Sequence, residues 1–293
     1  MTFQELFLEY IELNEMIQSN HEIKNKKNRY DNHIKLVLGS KHIQEIKYKD
    51  VQLLLNNLIH VKELSVKTAK NILGIVQVCF NYAIRNDYID KNPCQYLIYP
   101  KYNNKYDINV SKNDIKSLID SIFEFENETM KDIFLVALHG RRKNEILSLQ
   151  WNQIDLDLKI YNIPPQKNKS RKNDYHKMTE ELYQMFLRRY NEASKIGFEK
   201  RLDFVFINPN TLTRYQDISK SFNKLKISAG IKKMRFHDFR HILGTYAIAK
   251  KVPIEHISQA LGHSSIGVTQ KYITRDSGIS KDVLDVFFSD FKE

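Results

Sequence analysis

The chain has 293 residues, 42% of them hydrophobic, and this length favours two globular units over one. Lysine and arginine number 46 against 35 acidic residues, so the net charge of +11 favours a polyanionic partner, without separating DNA from RNA or an acidic membrane. The sequence contains no apolar run near the roughly 20 residues of a membrane span and no recognisable signal peptide. Cys79 and Cys94 lack metal-ligand spacing. The composition therefore excludes a membrane-spanning chain and predicts a cytoplasmic protein.

Residues 1–98 predict a small helical domain. Apolar residues recur at helical spacing from Phe3 to Leu13. Asp50 is predicted to cap a helix, and Ser65 to begin a longer one that ends before the turn at residues 90–93. A polar stretch without apolar periodicity follows, and we interpret it as a linker over residues 99–110.

Residues 111–293 predict a second domain of mixed type. It opens with Ser111-Lys-Asn-Asp114, which is close to a helix-capping box. A buried helix through residues 134–138 is expected to end at Gly140. Residues 159–163 and 175–178 predict two strands joined by a basic loop. Helices dominate after a short apolar run at 204–207. The whole chain is therefore predicted to be mainly α with a small antiparallel β-sheet.

Four local groups contain the side chains that could take part in catalysis. They are Gly140–Trp151, Gln166–Lys169, Arg235–His241 and Leu261–Tyr272. Each has an ordinary explanation when taken alone. Arg142 and Glu145 can form an ion pair within a helix, and His237 and Arg240 can be a polar pair at a helix start. Residues 257–273 also match a helix-turn-helix, in which Tyr272 is a core aromatic residue.

All four groups together, in this order and at this spacing, resemble the tyrosine recombinases, also called the phage integrase family. The family's motifs are similar to G-x-R-x-x-E, a hairpin lysine, H-x-[LF]-R-H, L-G-H and a tyrosine nine residues after that last histidine. In this chain Tyr272 lies nine positions after His263. The resemblance covers nearly the whole chain, including residues 81–83 and 91–93 near the end of the first domain.

The resemblance implies a helical core-binding domain followed by a mixed α/β tyrosine-recombinase catalytic domain with a C-terminal docking helix. It also implies six catalytic residues, namely Arg142, Lys167, His237, Arg240, His263 and Tyr272. Lys169 lies on the same loop as Lys167 and is the alternative lysine. Glu145 is expected to orient the arginines. Asn144 and Asp238-Phe239 depart from the family pattern without removing a catalytic position.

This residue set suits phosphoryl transfer without a metal ion or other cofactor. Two arginines grip the phosphate oxygens bidentately, and a lysine protonates the leaving 5′ oxygen. Tyr272, whose phenol has an ordinary pKa of about 10, must be activated before it attacks phosphorus. The expected product is a covalent 3′-phosphotyrosyl intermediate, and rejoining needs no ATP because the ester stores the bond energy.

The partners implied are double-stranded DNA and further copies of this chain, with no membrane. Candidate backbone contacts are Lys24, Lys26, Lys27, Arg29, Lys101 and Lys105, although the first four also fit a solvated helix face. The apolar residues between Val283 and Phe291 predict a short helix. This helix either packs on its own chain or docks on a neighbouring protomer in a DNA-bound synaptic tetramer.

Two other functions fit parts of the sequence. A non-catalytic helix-turn-helix regulator has no use for the Arg142 and Lys167 motifs. A type IB topoisomerase shares the chemistry, but the chain's own core-binding domain and C-terminal helix favour a recombinase. The target DNA and the biological use, whether integration, dimer resolution or inversion, are open.

Overall fold

The computed structural model describes residues 1–102, 110–164, 174–195 and 204–262. The chain divides into two compact units, residues 1–106 and 107–293. The domain boundaries placed at residues 98 and 110 from the sequence stay predictions. Within the described ranges, no helix combines the length and the apolar character that crossing a membrane would require.

The first unit is built from helices. They are α1 (Phe3–Glu15), α2 (Asn20–Arg29), α3 (Tyr48–Asn56) and α4 (Val66–Arg85). Wider π-helical turns continue α2 over Tyr30–Gly39 and α3 over Asn57–Val61. Their apolar faces meet in one core, in which the rings of Phe7 and Tyr30 stack with centroids 3.9 Å apart.

Short-range hydrogen bonds decide where these helices begin. Ser65 caps α4 as predicted, because its hydroxyl accepts a bond from the backbone N–H of Thr68 at 3.1 Å. The predicted cap at Asp50 is wrong by three positions, since α3 begins after Lys47. The carboxylate of Asp50 instead reaches back and accepts the backbone N–H of Lys47 at 2.9 Å, as acidic residues in a first helical turn often do.

The second unit contains further helices and short strands. The helices are α5 (Lys112–Phe123), α6 (Glu128–Leu138), α7 (Lys143–Leu147), α8 (Glu180–Lys195), α9 (Ser219–Ser228), α10 (Asp238–Ala249) and α11 (Ile254–Ala260). The strands are β1 (Ile154–Asp155), β2 (Ile160–Ile163), β3 (Asp174–Lys177), β4 (Ile207–Asn208) and β5 (Thr213–Arg214). Ser111 and Asp114 form the predicted capping box at the start of α5.

The strands form two small antiparallel sheets, β1-β2-β3 and β4-β5. The pairing of β2 with β3 confirms the predicted hairpin strands, with Ile160 opposite Lys177 and Tyr161 opposite His176. The loop that joins them lies outside the described residues. The predicted fold class, mainly α with a small antiparallel sheet, is therefore confirmed.

Aromatic packing fixes α6 against α10 in the core of the second unit. Phe134 on α6 is fully buried, and its ring lies 6.5 Å from that of Phe239 on α10. Phe222 and Phe236 pack on both rings. This packing brings the C-terminal end of α6 close to the first turns of α10, where the candidate catalytic residues lie.

Candidate active site

A sharp turn at Gly140 organises the site. α6 ends at Leu138, and Gly140 has φ +79°, a left-handed conformation that favours glycine. A Cβ atom at this position would lie 2.8 Å from Cδ2 of Leu261 and 3.0 Å from Cδ2 of Leu243. The backbone conformation therefore favours glycine here, and a Cβ atom would force the methyl groups of both leucines to shift. The turn leads directly to Arg142 at the start of α7.

Glu145 holds Arg142 at two points. Its Oε2 accepts the backbone N–H of Arg142 at 2.9 Å, and its Oε1 pairs with Nη1 of the same residue at 2.5 Å. Glu145 is 3% exposed, whereas the side chain of Arg142 is 21% exposed. A second guanidinium nitrogen, Nη2, donates to the carbonyl of Gly262 at 3.4 Å. Arg142 is thus fixed in orientation while part of it stays accessible.

Arg240 approaches the same turn from α10. Its side chain is buried, with 2% exposure, and Nη1 donates to the carbonyl of Gly140 at 2.7 Å. The two arginines, almost a hundred residues apart in sequence, therefore meet at one turn. A charged donor to a carbonyl makes a stronger hydrogen bond than a neutral one, which helps to offset the burial of the guanidinium.

Asp238 explains one departure from the family pattern. It is fully buried at the start of α10, where its Oδ2 accepts the backbone N–H of Arg235 at 2.7 Å. Its Oδ1 also accepts from Nη2 of Arg235 at 3.1 Å. An acidic residue in the first turn stabilises a helix, so Asp238 sets the start of α10 and with it the position of His237.

His237 precedes the first residue of α10 and is solvent-accessible. Its ring stands perpendicular to that of His241, with centroids 5.0 Å apart. Partial burial lowers its pKa to about 4, and the neighbouring charges of His241, Arg240 and Arg142 act in the same direction. The imidazole is therefore neutral at physiological pH, and one of its ring nitrogens can act as an acceptor.

Arg141 was missed in the sequence, although it precedes Arg142 directly. It is 3% exposed. Its guanidinium contacts Nε2 of His176 on β3 and donates to the carbonyl of Ala260 at the end of α11. The sequence did contain a signal, the pair of adjacent arginines. Adjacent side chains point in different directions, so the pair could have suggested that one arginine faces the site and the other the protein interior.

The remaining predicted catalytic residues lie outside the described ranges. They are Lys167, with its alternative Lys169, and His263 and Tyr272. The apolar segment from Val283 to Phe291 and Lys105 also lie outside them. α11 and Gly262, whose φ is +57°, cover only the first part of the window that matches a helix-turn-helix.

The candidate DNA-contact residues of the first unit differ in their surroundings. Lys26 is half-buried, and its Nζ lies 3.2 Å from Oη of Tyr10. Lys27 is exposed and pairs with Glu15 at 2.6 Å. The other described candidates are exposed, namely Lys24, Arg29 and Lys101. The contacts of Lys26 fit the solvated-face interpretation better than a direct phosphate contact.

Comparison with known protein families gives two matches that cover most of the chain. Residues 109–278 match the phage integrase family, and residues 3–98 match the phage integrase central domain. The chain belongs to the phage integrase family.

Curated relatives share modest sequence identity with the chain. A tyrosine recombinase XerC-like protein of Caldanaerobacter subterraneus subsp. tengcongensis is 27% identical over 74% of this chain and 64% of its own length. Tyrosine recombinase XerC of Pediococcus pentosaceus is 24% identical over 66% of each chain, so the chain spans less than two thirds of both relatives. Tyrosine recombinase XerD of Staphylococcus saprophyticus is 24% identical over 99% of this chain and 98% of its own length.

Two solved structures share the fold. The Tn1549 transposon integrase in complex with transposon right end DNA has a TM-score of 0.78 at 18% identity, covering 99% of this chain and 100% of that chain. A lambda integrase tetramer bound to a Holliday junction has a TM-score of 0.66 at 14% identity, covering 90% of this chain and 78% of that chain. At these identities the likeness shows the fold.

Replacing Gly140 tests the turn. Gly140→Ala is expected to lower the free energy of unfolding by about 3 kcal/mol. The left-handed backbone conformation accounts for about 1–2 kcal/mol of this loss, and overpacking against Leu261 and Leu243 accounts for the rest. Gly230 is the matched control, because its φ is +71° but a Cβ atom would meet nothing within 4 Å. Gly230→Ala should therefore show the strain alone. Equal losses in urea unfolding would show that the close approach at Gly140 is unimportant.

The low pKa of His237 predicts a pH dependence. As pH falls below about 6.5, the unfolded state takes up a proton that the folded state accepts only near 4, so stability falls with pH across this window. NMR titration of the His237 ring should show a midpoint near pH 4, and His237→Gln should weaken the acid dependence of unfolding. A midpoint near 6.5 would contradict the prediction.

Proposed function

We propose that this protein is a site-specific DNA recombinase that cuts and rejoins duplex DNA through Tyr272. The observation that carries the proposal is the meeting of Arg142 and Arg240 at the Gly140 turn, with Glu145 holding Arg142 in place. A DNA-binding regulator needs no such fixed pair of cations, one of them buried, because phosphate contacts for affinity alone are made at the surface.

The proposed cleavage step transfers a phosphoryl group between two oxygens. The phenolic oxygen of Tyr272 attacks phosphorus and gives up its proton to a base, for which we propose the neutral imidazole of His237. The bond from phosphorus to the 5′ oxygen breaks, and that oxygen takes a proton from Lys167. The products are a 3′-phosphotyrosyl ester and a free 5′ hydroxyl. Attack by a 5′ hydroxyl reverses the step and rejoins a strand.

The two arginines fit different parts of phosphate binding. Arg142 keeps an exposed portion that can contact the non-bridging oxygens. Arg240 is buried and bonded to the carbonyl of Gly140, so its proposed contribution is a fixed positive charge next to the phosphate. Preorganised donors of this kind contribute about 3 kcal/mol each to the transition state. His263 is proposed to add a further donor. The scheme requires neither a metal ion nor another cofactor, because the fixed cations stabilise the developing charge.

The proposed partners are duplex DNA and other copies of the chain. The net charge of +11 and the exposed candidates Lys24, Arg29 and Lys101 support binding to the phosphate backbone. The lambda integrase tetramer bound to a Holliday junction is the precedent for four protomers acting together. We propose that the segment from Val283 to Phe291 docks on a neighbouring protomer, and that the protein acts in the cytoplasm, where Cys79 and Cys94 stay free and buried.

Covalent capture of DNA tests the nucleophile. Nicked duplexes with a randomised segment are incubated with the protein, and adducts that survive denaturation are recovered and sequenced. The wild type is expected to form adducts with DNA of a defined sequence. Tyr272→Phe is expected to bind the same DNA without forming an adduct. Tyr246→Phe removes the hydroxyl of an exposed tyrosine on α10 and should react normally. Adducts with Tyr272→Phe, or none with the wild type, would refute the proposal.

A substrate with a better leaving group tests the lysine. Sulfur in place of the bridging 5′ oxygen leaves without needing a proton, since a thiol has an ordinary pKa of about 8.5. Lys167→Ala should react at least about 100-fold slower than the wild type on the oxygen substrate and nearly normally on the sulfur substrate. Lys169→Ala is the matched control. The assignment is wrong if only Lys169→Ala shows this rescue.

A further inference from the structure

Arg141 occupies an unusual place for an arginine. It is 3% exposed and lines a groove whose other walls include Leu138, Ile160 and Leu243. Burying a guanidinium in such surroundings is unfavourable unless its nitrogens find well-placed acceptors. An apolar side chain would fill the same space at lower cost, so packing alone does not account for this residue.

The acceptors of Arg141 come from three different elements. Nη1 contacts Nε2 of His176 on β3, Nη2 donates to the carbonyl of Ala260 at the end of α11, and Nε donates to the carbonyl of His139 at 3.3 Å. The planar guanidinium fixes the directions of these bonds relative to one another. One side chain therefore joins the hairpin, the end of α11 and the turn that carries Arg142.

A second contact supports the same connection. Nε2 of His139 lies 2.9 Å from Oγ1 of Thr179, just beyond β3, and its Nδ1 lies 2.8 Å from the carbonyl of Leu135. A carbonyl only accepts, so Nδ1 carries the proton and Nε2 accepts from the threonine hydroxyl. The chain leaving β3 is thus attached to the Gly140 turn at both His176 and Thr179.

The elements that Arg141 joins lead directly to proposed catalytic residues. Lys167 lies nine residues before His176 in the connection between β2 and β3, and His263 lies three residues after Ala260. The position of β3 sets one end of the loop that carries the lysine. The position of the α11 C-terminus likewise sets the start of the segment that carries the histidine.

We infer that Arg141 is a positioning residue. It fixes the β2–β3 hairpin, whose connection contains Lys167, and the end of α11 in position relative to Arg142 and Arg240. This inference rests on the proposed function, because it assigns Arg141 an effect on proton donation by Lys167. We assign Arg141 no direct contact with the reacting atoms, because its contacts named above are with His176, Ala260 and His139. Its loss should therefore weaken proton transfer to the leaving group more than it weakens DNA binding.

The first experiment needs no DNA and measures the connection itself. Arg141→Leu should increase amide hydrogen exchange by roughly tenfold in both residues 174–179 and residues 254–262. His176→Leu removes the hairpin acceptor of Arg141 but leaves its bond to Ala260, and should increase exchange in 174–179 alone. Lys177→Met is the matched control, because it removes one positive charge from an exposed side chain of the same strand. Unchanged exchange in Arg141→Leu would overturn the inference, whether or not the protein is a recombinase.

The second experiment measures the catalytic consequence on the duplex that the wild type selects from the randomised pool. Adduct formation by Arg141→Leu and His176→Leu should be about 10–100-fold slower than the wild type on the oxygen substrate. On the bridging-sulfur substrate both should come within about threefold of the wild type, with the dissociation constant for DNA little changed. Lys177→Met should show no difference between the two substrates.

The outcomes separate the two proposals. A wild type that forms no adduct refutes the proposed function, while the exchange experiment still decides whether Arg141 joins β3 to α11. Equal losses on the oxygen and sulfur substrates would overturn the positioning role, because they would place the defect in phosphate binding rather than in proton donation. If Arg141→Leu fails to fold, His176→Leu tests the hairpin contact by the same two measurements.

Discussion

The turn at Gly140 is the constraint on which the described part of the site depends. Its positive φ favours glycine, and the close approach of Leu261 means that any larger residue would have to displace this side chain. The turn then presents three consecutive residues to different neighbours. The carbonyl of Gly140 accepts from Arg240, Arg141 reaches β3 and α11, and Arg142 begins α7. A shift of this backbone by even one ångström would move both arginines of the pair together, which is why a rigid turn is needed for preorganised catalysis.

Local hydrogen bonding explains which parts of the fold the sequence could predict. The caps at Ser65 and Ser111 involve residues three positions apart, and the strands of the hairpin follow from a short apolar alternation. The cap at Asp50 was misplaced because an acidic residue fits both the cap and the third helical position, and the choice depends on Lys47 and its surroundings. Lys41 also pairs with Asp50 at 2.6 Å, a contact that no local pattern predicts.

The site was predictable as a set of residues, and its geometry was not. Motif spacing pointed to Arg142, Glu145, His237 and Arg240, and the structure brings the first, second and fourth of these to one turn. The bonds that do so span long stretches of chain, 100 residues for Arg240 to Gly140 and 119 for Arg141 to Ala260. Such contacts depend on the packing of α6, α10 and α11, so a sequence pattern cannot show that Arg240 is buried or that Arg141 has a partner on β3.

The choice of acceptors has an electrostatic consequence for the proposed chemistry. Backbone carbonyls receive bonds from Arg141, Arg142 and Arg240, at Ala260, Gly262 and Gly140 respectively. A carbonyl orients a guanidinium without neutralising its charge, whereas a carboxylate cancels part of the field that a phosphate must meet, as Glu145 does for Arg142 but not for Arg141 or Arg240 in the bonds named above. The carbonyls at the end of α11 are well suited to this, because the C-terminal end of a helix carries partial negative charge.

The low pKa of His237 is a sign of the same field, since the charges of Arg240 and Arg142 add to burial in disfavouring its protonation. The site therefore holds a positive potential that is fixed before DNA arrives, and this potential helps to keep the imidazole of His237 neutral.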